Sequence, residues 1–363
     1  MSTGHRPGDA RILGKEAQAL AEAGYEVVFV VPAGRAETVG DVRVVPLLGP
    51  QGRLARMTTA TWGAYRAVLR EGADVYHLHD PALLPAGLLL KLRGKRVIYD
   101  AHEDLTGQVL GKYWIPRPLR RAVSWFSGLM LGLAGWCFDG IVVARPQLAR
   151  RFPARKTVVV ENFPRLEEIA AAEVIPYRQR PNQVYYAGGI SVARGAVEMV
   201  EAMSLLPPEL GAELRLAGAP ERESVLETMQ QTPGWEHVVF LGWQSRGQVA
   251  AELARARIGL VLLHPIPNYL GDGHPTKLME YMAAGLPVVV TDLRLMRETV
   301  EAVGCGLVIP VQDAAALAAA IQWLLERPEE AEAMGRRGQQ AARERYNWDA
   351  EKRKLLELYA RWA

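Results

Sequence analysis

The strongest constraint on the fold is an alternation that occurs twice along the chain: short apolar, mostly β-branched runs alternate with longer segments of helical periodicity. The apolar runs are continuous, which is typical of strands buried on both faces of a parallel sheet. Such strands joined by helices predict doubly wound α/β domains. The predicted strands are Glu26–Val31, Val42–Pro46, Asp74–Leu78, Arg96–Tyr99, Gly140–Val143 and Thr157–Val160 in the first half, then Val184–Tyr186, Glu213–Ala217, Val238–Leu241, Ile258–Leu263, Pro287–Thr291 and Gly306–Ile309.

The length of the chain, 363 residues, fits two domains. We predict one domain over residues 1–165 and a second over residues 166–349, joined by a segment rich in proline and charge. Ligands of doubly wound sheets bind beyond the carboxyl ends of the strands, so two facing domains are expected to enclose a cleft. The predicted helices are Ile12–Ala23, Ala60–Arg70, Leu119–Leu133, Val197–Leu206, Ser224–Gln231, Arg246–Ala254, Pro275–Ala284 and Ala314–Glu326.

Charge is distributed unevenly between the two halves. The residues up to Arg165 include 23 basic and 14 acidic side chains, a net charge of +9, whereas the remainder has a net charge of −6. The basic residues of the first half are not interleaved with aromatic ones, so we do not expect nucleic acid as a partner and favour an anionic membrane surface. The two cysteines, Cys137 and Cys305, match no metal-binding spacing, which predicts a cytoplasmic protein without disulfides.

A glycine-rich segment follows the first predicted strand of the second domain. Gly188 and Gly189 allow a ligand to approach the backbone closely, and Arg194 lies at the start of the next helix. Helix starts favour phosphate, and an arginine fork can hold two phosphate oxygens. Taken alone, the segment is equally compatible with a glycine turn and a surface arginine.

A second polar segment leads into another predicted helix, which starts near Pro275 or Thr276. Free amides of residues 273–277 could cradle a diphosphate, and Lys277 adds positive charge. Glu280 lies one turn further and could accept hydrogen bonds from a ribose diol. The alternative is an ordinary capped helix. The candidate residues of this segment are Asp272, Gly273, His274, Thr276, Lys277 and Glu280.

Polar residues also follow two strands of the first domain. His77 and His79 share one face of a strand that Asp80 ends, and His102 and Glu103 follow the next strand. A structural histidine is the more ordinary interpretation of a strand end. A metal site would need further ligands that the spacing does not supply, so no metal is predicted.

These segments together resemble the retaining glycosyltransferases of family 4 (group 1), which have the GT-B architecture of two Rossmann-like domains. The resemblance covers nearly the whole chain. Its most specific part is Asp272-x7-Glu280 followed by Ala283-Ala-Gly-Leu-Pro-Val-Val, similar to the Glu-x7-Glu signature of the family. Similar segments also occur at Arg11–Glu16, His77–Pro81, Glu161–Phe163 and Tyr346–Trp348. Residues 350–363 resemble the last helix of the family, which packs back on the first domain.

The resemblance implies a role for each matching residue. Arg194 would bind the donor diphosphate, Glu280 the ribose and Asp272 the donor sugar, while His79 would lie at the reaction centre. The backbone of Gly242 and Trp243 would receive the nucleobase. The further residues placed on the acceptor side are Arg11, Asp80, His102 and Glu103. Catalysis is assigned to His79, Arg194, Asp272 and Lys277, with no metal and no cofactor.

The chain departs from the family pattern at four points. The first signature carboxylate is the shorter Asp272, and the usual arginine after the first glycine is Gly189, so Arg194 carries more of the diphosphate. His274-Pro-Thr-Lys277 replaces the commoner Phe-Gly-Leu-Pro, and Lys277 would compensate. The chain also begins where the family has completed its first strand, so either Met1 is a late start or the first sheet lacks this strand, which would expose an edge.

The expected function is transfer of a sugar, with retention, from a nucleotide-diphosphate sugar to a glycan or lipid-linked acceptor in cell-surface polysaccharide or glycolipid synthesis. A UDP-sugar is favoured over a GDP-sugar. A non-catalytic sugar-nucleotide-binding protein, a sugar-nucleotide epimerase and a glucan-elongating polymerase remain alternatives.

Residues 112–138 form an apolar stretch preceded by basic residues. Ala122–Phe138 carries no formal charge and is at the short limit for a membrane span. Three interpretations stay open: a core helix, an interfacial helix on an anionic bilayer, and a membrane span. An interfacial helix would make this a peripheral protein at the inner face of the cytoplasmic membrane.

Overall fold

A computed structural model describes residues 1–49, 52, 55–112, 115–170, 175–266, 269–270 and 273–362. The chain divides into two compact units. Unit 1 comprises Met1–Asn162 and Glu351–Ala363, and unit 2 comprises Phe163–Ala350. The division follows Asn162, whereas the sequence placed it after Arg165, and the C-terminal segment belongs to unit 1.

Unit 1 contains two sheets among its described residues. The first has the order β1-β3-β2 and the second the order β4-β5-β6-β7. All neighbours are parallel except β2, which pairs antiparallel with β3 at an exposed edge and was missed in the sequence. The strands are β1 Val27–Pro32, β2 Glu37–Val39, β3 Val42–Leu47, β4 Val75–Leu78, β5 Arg96–Ala101, β6 Gly140–Val143 and β7 Thr157–Val159.

The helices of unit 1 connect these strands, and two of them begin with π-helical turns, at Ile12–Ala17 and Arg56–Ala60. The C-terminal helix packs on this unit, where the Tyr359 hydroxyl lies 3.0 Å from His77 Nδ1. The helices are α1 Gln18–Glu22, α2 Thr61–Glu71, α3 Leu84–Leu92, α4 Leu105–Gly111, α5 Arg117–Cys137, α6 Pro146–Ala149 and, at the C-terminus, α15 Trp348–Tyr359.

The first two residues lie between the two sheets of unit 1. The Ser2 N–H donates to the Val30 carbonyl of β1, and the Met1 carbonyl accepts from the His79 N–H just after β4. The rest of the gap is a cavity of about 50 Å³ lined in part by Val28 and Val75. Backbone hydrogen bonds through Met1 and Ser2 therefore connect strands that do not pair directly.

Unit 2 contains one six-stranded parallel sheet in the order β10-β9-β8-β11-β12-β13. Counted within the unit, this is the order 3-2-1-4-5-6 of dinucleotide-binding sheets. The central strands are buried because their sequences are continuous apolar runs. The strands are β8 Gln183–Ala187, β9 Glu213–Ala217, β10 Val238–Gly242, β11 Ile258–Val261, β12 Val288–Thr291 and β13 Gly306–Ile309.

The helices of unit 2 follow the strands and cover both faces of the sheet, with a hydrophobic core on each side. Three of them, α7, α12 and α14, were not predicted from the sequence. The helices are α7 Leu166–Ala170, α8 Ala196–Ser204, α9 Glu223–Gln231, α10 Arg246–Arg255, α11 Thr276–Ala283, α12 Arg294–Val303, α13 Ala314–Glu326 and α14 Pro328–Glu344. The prediction of α/β units with parallel sheets is confirmed.

Helix α5 covers the uncharged stretch noted in the sequence. It buries one narrow face, including Leu131 and Ala134, so the core-helix interpretation describes only that face. Among the described helices, none combines the length and the hydrophobicity that crossing a bilayer requires.

Candidate functional site

The sheet of unit 2 has a switch point between β8 and β11, where the strand order reverses. Connections leave neighbouring strands in opposite directions at such a point, and this leaves a crevice at their carboxyl ends. Strand β8 ends at Ala187, directly before Gly188 and Gly189. Helix α11 begins at Thr276, after Pro275 in extended conformation. The glycine loop and this helix bring Gly188, Gly189, Arg194 and Lys277 together.

Two cations lie against the glycine loop. The Lys277 Nζ would be only 3.1 Å from a Cβ atom at Gly188, and the Arg194 Nη1 only 2.7 Å from a Cβ atom at Gly189. Gly188 also has φ +140°, a conformation that side chains disfavour. The two glycines therefore leave room for both cations beside the backbone, and a side chain at either position would displace the end of Lys277 or of Arg194. The family that the sequence resembles usually has an arginine at position 189. Here Gly189 has no side chain, and the guanidinium of Arg194 lies in the space beside it.

Arg194 is held in a fixed orientation. It ends a short turn before Gly195, whose φ of +69° begins helix α8. Its Nε donates to the Tyr269 hydroxyl at 2.9 Å and its Nη1 to the Gly189 carbonyl at 3.2 Å. A guanidinium with these two neutral partners keeps its full positive charge available for an anion.

Lys277 is the most unusual group of this site. Its ammonium is buried, lies 3.7 Å from the centre of the Tyr186 ring, and has no hydrogen-bond partner among the residues that the structure describes. Burial, and then the positive charge of Arg194, hold the pKa of Lys277 well below its usual range. A buried charged group without partners is costly, so this arrangement indicates a site for an anionic ligand.

Glu280 has a partner that the sequence did not reveal. Its Oε1 accepts from Arg246 Nη1 at 2.7 Å, and Arg246 also pairs with Glu168 at 3.0 Å. Arg246 opens helix α10, which Ser245 caps together with Gln248. The capping residues made the start of this helix recognisable in the sequence. They did not indicate that Arg246 pairs with a carboxylate 34 positions further along the chain.

The remaining predicted donor residues are placed differently. Gly242 ends β10 with φ +64°, and Trp243 beside it is 76% exposed. The His274 ring packs against Phe163 and Tyr346, with centroids 5.7 and 5.6 Å away, so this side chain takes part in packing and only its backbone remains available to the predicted site. Gly273 precedes His274, and Asp272 lies outside the described residues.

A second polar cluster lies in unit 1, centred on Asp100. Arg11 is buried and pairs with Asp100 at 3.3 Å and with Glu16 at 2.9 Å, and it also donates to the Val160 carbonyl. Burial alone would raise the pKa of Asp100. The positive charge of Arg11 and the hydrogen bonds from neighbouring histidines outweigh burial and hold this pKa well below its usual range. Burial, and then the charge of Asp100, raise the pKa of Glu16 well above its usual range. Neither Glu16 nor Asp100 was predicted as a site residue.

The histidines of this cluster differ in exposure. His79 lies 3.3 Å from Asp100, and burial lowers its pKa to about 4. His77 stacks on His79, and burial followed by the charge of His79 lowers its pKa as well. His102 lies 3.0 Å from Asp100 and is the more accessible, with a side chain 20% exposed. The structure therefore brings His79 and His102 to the same carboxylate.

A metal ion was not predicted in this cluster, but four of its residues lie close enough together to be possible metal ligands. Ligand atoms of Glu16, His77, His79 and Asp100 all lie within 4.8 Å of one another. The guanidinium of Arg11 already contacts both carboxylates and supplies the positive charge that such a set would take from a cation. These residues therefore fit an internal ion cluster better than a metal site.

Two predicted acceptor-side residues have local roles. The Asp80 carboxylate accepts hydrogen bonds from the Ser2 hydroxyl and from the Thr3 and Gly4 amides, and so fixes the first loop of the chain. Burial raises the pKa of Asp80, but hydrogen bonds outweigh burial and hold this pKa below its usual range. The hydrogen bond from the His5 side chain makes the largest contribution among them. Glu103 is exposed and accepts a hydrogen bond from Gln108.

Comparison with known proteins identifies the class. Residues 8–162 match the family described as Glycosyl transferase 4-like domain, and residues 169–341 match Glycosyl transferases group 1. The chain is 26% identical over 366 residues to the phosphatidyl-myo-inositol mannosyltransferase of Mycobacterium leprae, covering 96% of this chain and 89% of that protein.

Two solved structures have a similar fold. Sucrose-phosphate synthase from Thermosynechococcus elongatus has a TM-score of 0.73 at 21% identity, with 95% of this chain and 91% of that chain covered. HepE from Anabaena, solved in complex with UDP-glucose, has a TM-score of 0.70 at 16% identity, with 98% and 97% covered.

The fold is thus that of the GT-B glycosyltransferases, as predicted. The chain belongs to the group 1 glycosyltransferases of family 4 and is a glycosyltransferase enzyme.

Proposed function

We propose that this glycosyltransferase uses a nucleotide-diphosphate sugar as donor, with UDP favoured over GDP as the nucleotide, and transfers the sugar with retention of configuration. The observation that carries the proposal is the buried ammonium of Lys277, which has no hydrogen-bond partner among the described residues and lies with Arg194 at the switch point of a dinucleotide-type sheet. A diphosphate is the anion that matches two cations next to a glycine loop. The solved complex of the similar HepE with UDP-glucose supports this choice of ligand.

In the proposed reaction, Arg194 and Lys277 neutralise the charge that develops on the departing nucleotide diphosphate. This electrostatic role is the one that a metal ion fills in other transferases. The acceptor hydroxyl attacks the anomeric carbon from the face that the diphosphate leaves, the bond to the diphosphate oxygen breaks, and that diphosphate takes the hydroxyl proton. Retention is proposed on the basis of the family resemblance and does not rest on any distance in the structure.

Glu280 is proposed to bind the ribose diol. Its Oε1 is engaged by Arg246, which orients the carboxylate and leaves its second oxygen for a hydroxyl group. Trp243 and Gly242 are proposed to lie at the nucleobase, and Asp272, Gly273 and the first turn of α11 with Thr276 at the diphosphate and sugar.

The polar cluster of unit 1 is proposed to serve the acceptor side. His79 and His102 both contact Asp100, and His102 is the one with an accessible side chain. We propose a glycan or lipid-linked acceptor in cell-surface polysaccharide or glycolipid synthesis, and the mannosyltransferase of M. leprae, named for a phosphatidyl-myo-inositol acceptor, supports the lipid-linked choice. We place the enzyme in the cytoplasm, since both cysteines are free thiols.

The donor proposal can be tested by thermal unfolding with UDP-, GDP- and ADP-sugars in the presence of a metal chelator. A ligand at about 100 times its Kd stabilises the fold by about 2.7 kcal/mol, which is readily measured. We expect a shift with UDP-glucose or another UDP-sugar, and its loss in Glu280→Ala and Arg194→Ala. Arg178→Ala is a matched control, because Arg178 is an exposed arginine of the same unit that pairs with Glu329.

The outcomes separate the parts of the proposal. A shift with GDP-sugars alone would keep the donor class and change the nucleotide. A shift that requires Mg²⁺ would overturn metal independence. Absence of a shift with every nucleotide sugar, in protein with the circular dichroism of a folded α/β chain, would overturn the donor site. Nuclear magnetic resonance of the product, once an acceptor is found, would decide between retention and inversion.

A further inference from the structure

Helix α5 of unit 1 presents an apolar face to solvent. Trp125 is 71% exposed, Trp136 77% and Phe126 56%, and Leu129 and Leu133 are exposed beside them. From Trp125 or Phe126 onward, each next turn brings another of these residues at a spacing of three or four, which places all five on one side of a helix. Large exposed aromatic side chains in one continuous patch are uncommon on a protein surface that contacts only water.

The orientation of this helix is fixed by its other side. Leu131, Ala134 and Gly135 are its buried residues. The Ser124 hydroxyl donates to the Thr106 carbonyl of α4 at 3.0 Å, on the flank of the buried face. The aromatic face therefore cannot turn inward without breaking these contacts, and its exposure is a property of the folded unit.

The charged residues within the segment that contains the helix are all basic. From Leu105 to Phe138 the sequence has four basic residues and no acidic one. Arg117 and Arg121 are exposed and have no ion pair within the described part of the chain. They precede Trp125 at intervals of four residues, so the same helical row begins with two arginines and continues with apolar side chains. Lys156 lies at the other end, where it donates to the Trp136 and Phe138 carbonyls.

The helices that contact α5 also carry exposed leucines. Leu110 of α4 is 48% exposed and Leu92 of α3 is 84% exposed, and both helices contact α5. An apolar face with tryptophans, bordered by arginines and lacking carboxylates, has the chemistry of a helix that lies in the interface of a bilayer.

We propose that unit 1 docks on an anionic lipid bilayer through the exposed face of α5, with Trp125, Phe126 and Trp136 inserted at the headgroup level and Arg117 and Arg121 on lipid phosphates. The charge of the segment favours lipid over a second copy of the chain, because this segment has no carboxylate with which a second copy could neutralise the arginines. The proposal goes beyond the proposed donor chemistry and uses none of its residues, so either can fail without the other.

The test is flotation of the full chain with vesicles of phosphatidylcholine, with and without phosphatidylglycerol. We expect strong binding to the anionic vesicles, weakened by salt. Trp125→Ala with Trp136→Ala should lower the partition coefficient by more than about tenfold. Arg117→Gln with Arg121→Gln should lower it by about thirtyfold on anionic vesicles and leave binding to neutral vesicles unchanged.

Trp62→Ala is the matched control, because Trp62 is a partly exposed tryptophan of the same unit that stacks on Tyr65 away from α5. It should bind vesicles like the unchanged chain. Thermal unfolding of every variant shows whether unit 1 is folded, and substitutions at exposed positions should leave it unchanged. The proposal is overturned if the unchanged chain does not float, if the tryptophan pair is not needed, or if sedimentation without lipid shows a dimer that this pair of substitutions dissociates.

Discussion

The two polar clusters of this enzyme are built in opposite ways. In unit 1, the guanidinium of Arg11 contacts the carboxyl groups of Asp100 and Glu16, and the raised pKa of Glu16 favours its neutral form, so the charges of Arg11 and Asp100 compensate one another. In unit 2, Lys277 and Arg194 lie against one glycine loop, and the nearby carboxylate of Glu280 is already paired with Arg246. Among the residues that the structure describes, the charges of the first cluster balance, whereas the second has an excess of positive charge.

This difference separates two uses of buried charge. A compensated cluster contributes to the folded state and loses stability when one member is removed. A cluster with uncompensated cations costs free energy in the absence of ligand, and binding of an anion recovers that cost. Substitutions in the two clusters should therefore have opposite effects on stability and on donor binding.

The largest effect on stability is expected for Arg11→Met. It leaves Asp100 buried without its main counter-charge, so the free energy of unfolding should fall by about 3–5 kcal/mol. Denaturant unfolding followed by circular dichroism measures this. Arg43→Met is the matched control in the same unit, since the exposed Arg43–Glu71 pair should contribute less than about 1 kcal/mol. Equal stability of the two variants would mean that the cluster is not compensated as described.

Lys277→Met should show the opposite pattern. It removes a buried ammonium but keeps a side chain of similar length, so stability should be unchanged or higher. Loss of one preorganised cation at the leaving group should lower kcat/KM by about 10²–10³-fold. Lys91→Met is a suitable control, because Lys91 is a lysine paired with Asp139 in the other unit. A destabilised Lys277→Met protein with normal turnover would reverse the roles assigned to the clusters.

The sequence was informative where the structure depends on local or periodic patterns. Gly140–Val143, Glu213–Ala217 and Gly306–Ile309 were predicted with the bounds that the structure has. Gly140–Val143 is a continuous apolar run that is buried throughout, as is typical of a central parallel strand. Strand β2 is exposed at an edge and has no such pattern. The π-helical turn at Ile12–Ala17 likewise reads as ordinary helix in the sequence.

In the candidate site, too, the sequence was informative only where a residue belongs to a local pattern. Gly188, Arg194 and Lys277 were found together because family resemblance linked two short segments that each contain their own signal. The pairing of Arg246 with Glu280 and of Arg11 with Asp100 joins positions 34 and 89 residues apart. Such contacts depend on how helices and strands pack, and a single sequence does not encode them in any local pattern.

Acid should weaken the compensated cluster. Burial lowers the pKa of His79 to about 4, below the value of about 6.5 in an unfolded chain. The unfolded chain therefore binds more protons between these values, and stability is full above about pH 6.5 and is lost as the pH falls towards 4, by up to about 3 kcal/mol for this one histidine. The measurement is denaturant unfolding across this range.

His79→Gln should flatten the pH dependence between these limits, because the substituted side chain does not titrate. His237→Gln is the control, since His237 is an exposed histidine of unit 2 and should leave the slope as it is. A slope that survives in His79→Gln would assign the acid sensitivity to other groups, among them His77, whose pKa is also lowered by burial.

The smallest expected effect is a fraction of a proton, and it compares the two clusters most directly. The pKa of Lys277 is held low by burial and by Arg194, and a bound diphosphate would raise it by supplying negative charge. The complex then holds more protons than the free enzyme, so UDP binding should take up protons. The affinity for UDP should fall as the pH rises through the pKa of Lys277. Calorimetry with UDP above about pH 8, where its phosphates are fully ionised, in two buffers of different ionisation enthalpy measures the uptake. Lys277→Met should abolish the proton uptake, and His79→Gln should keep it, because the diphosphate is expected to bind beside Lys277 and not beside His79. Proton uptake that persists without Lys277 would assign the titration to another group, and the two clusters would then not differ in the way described.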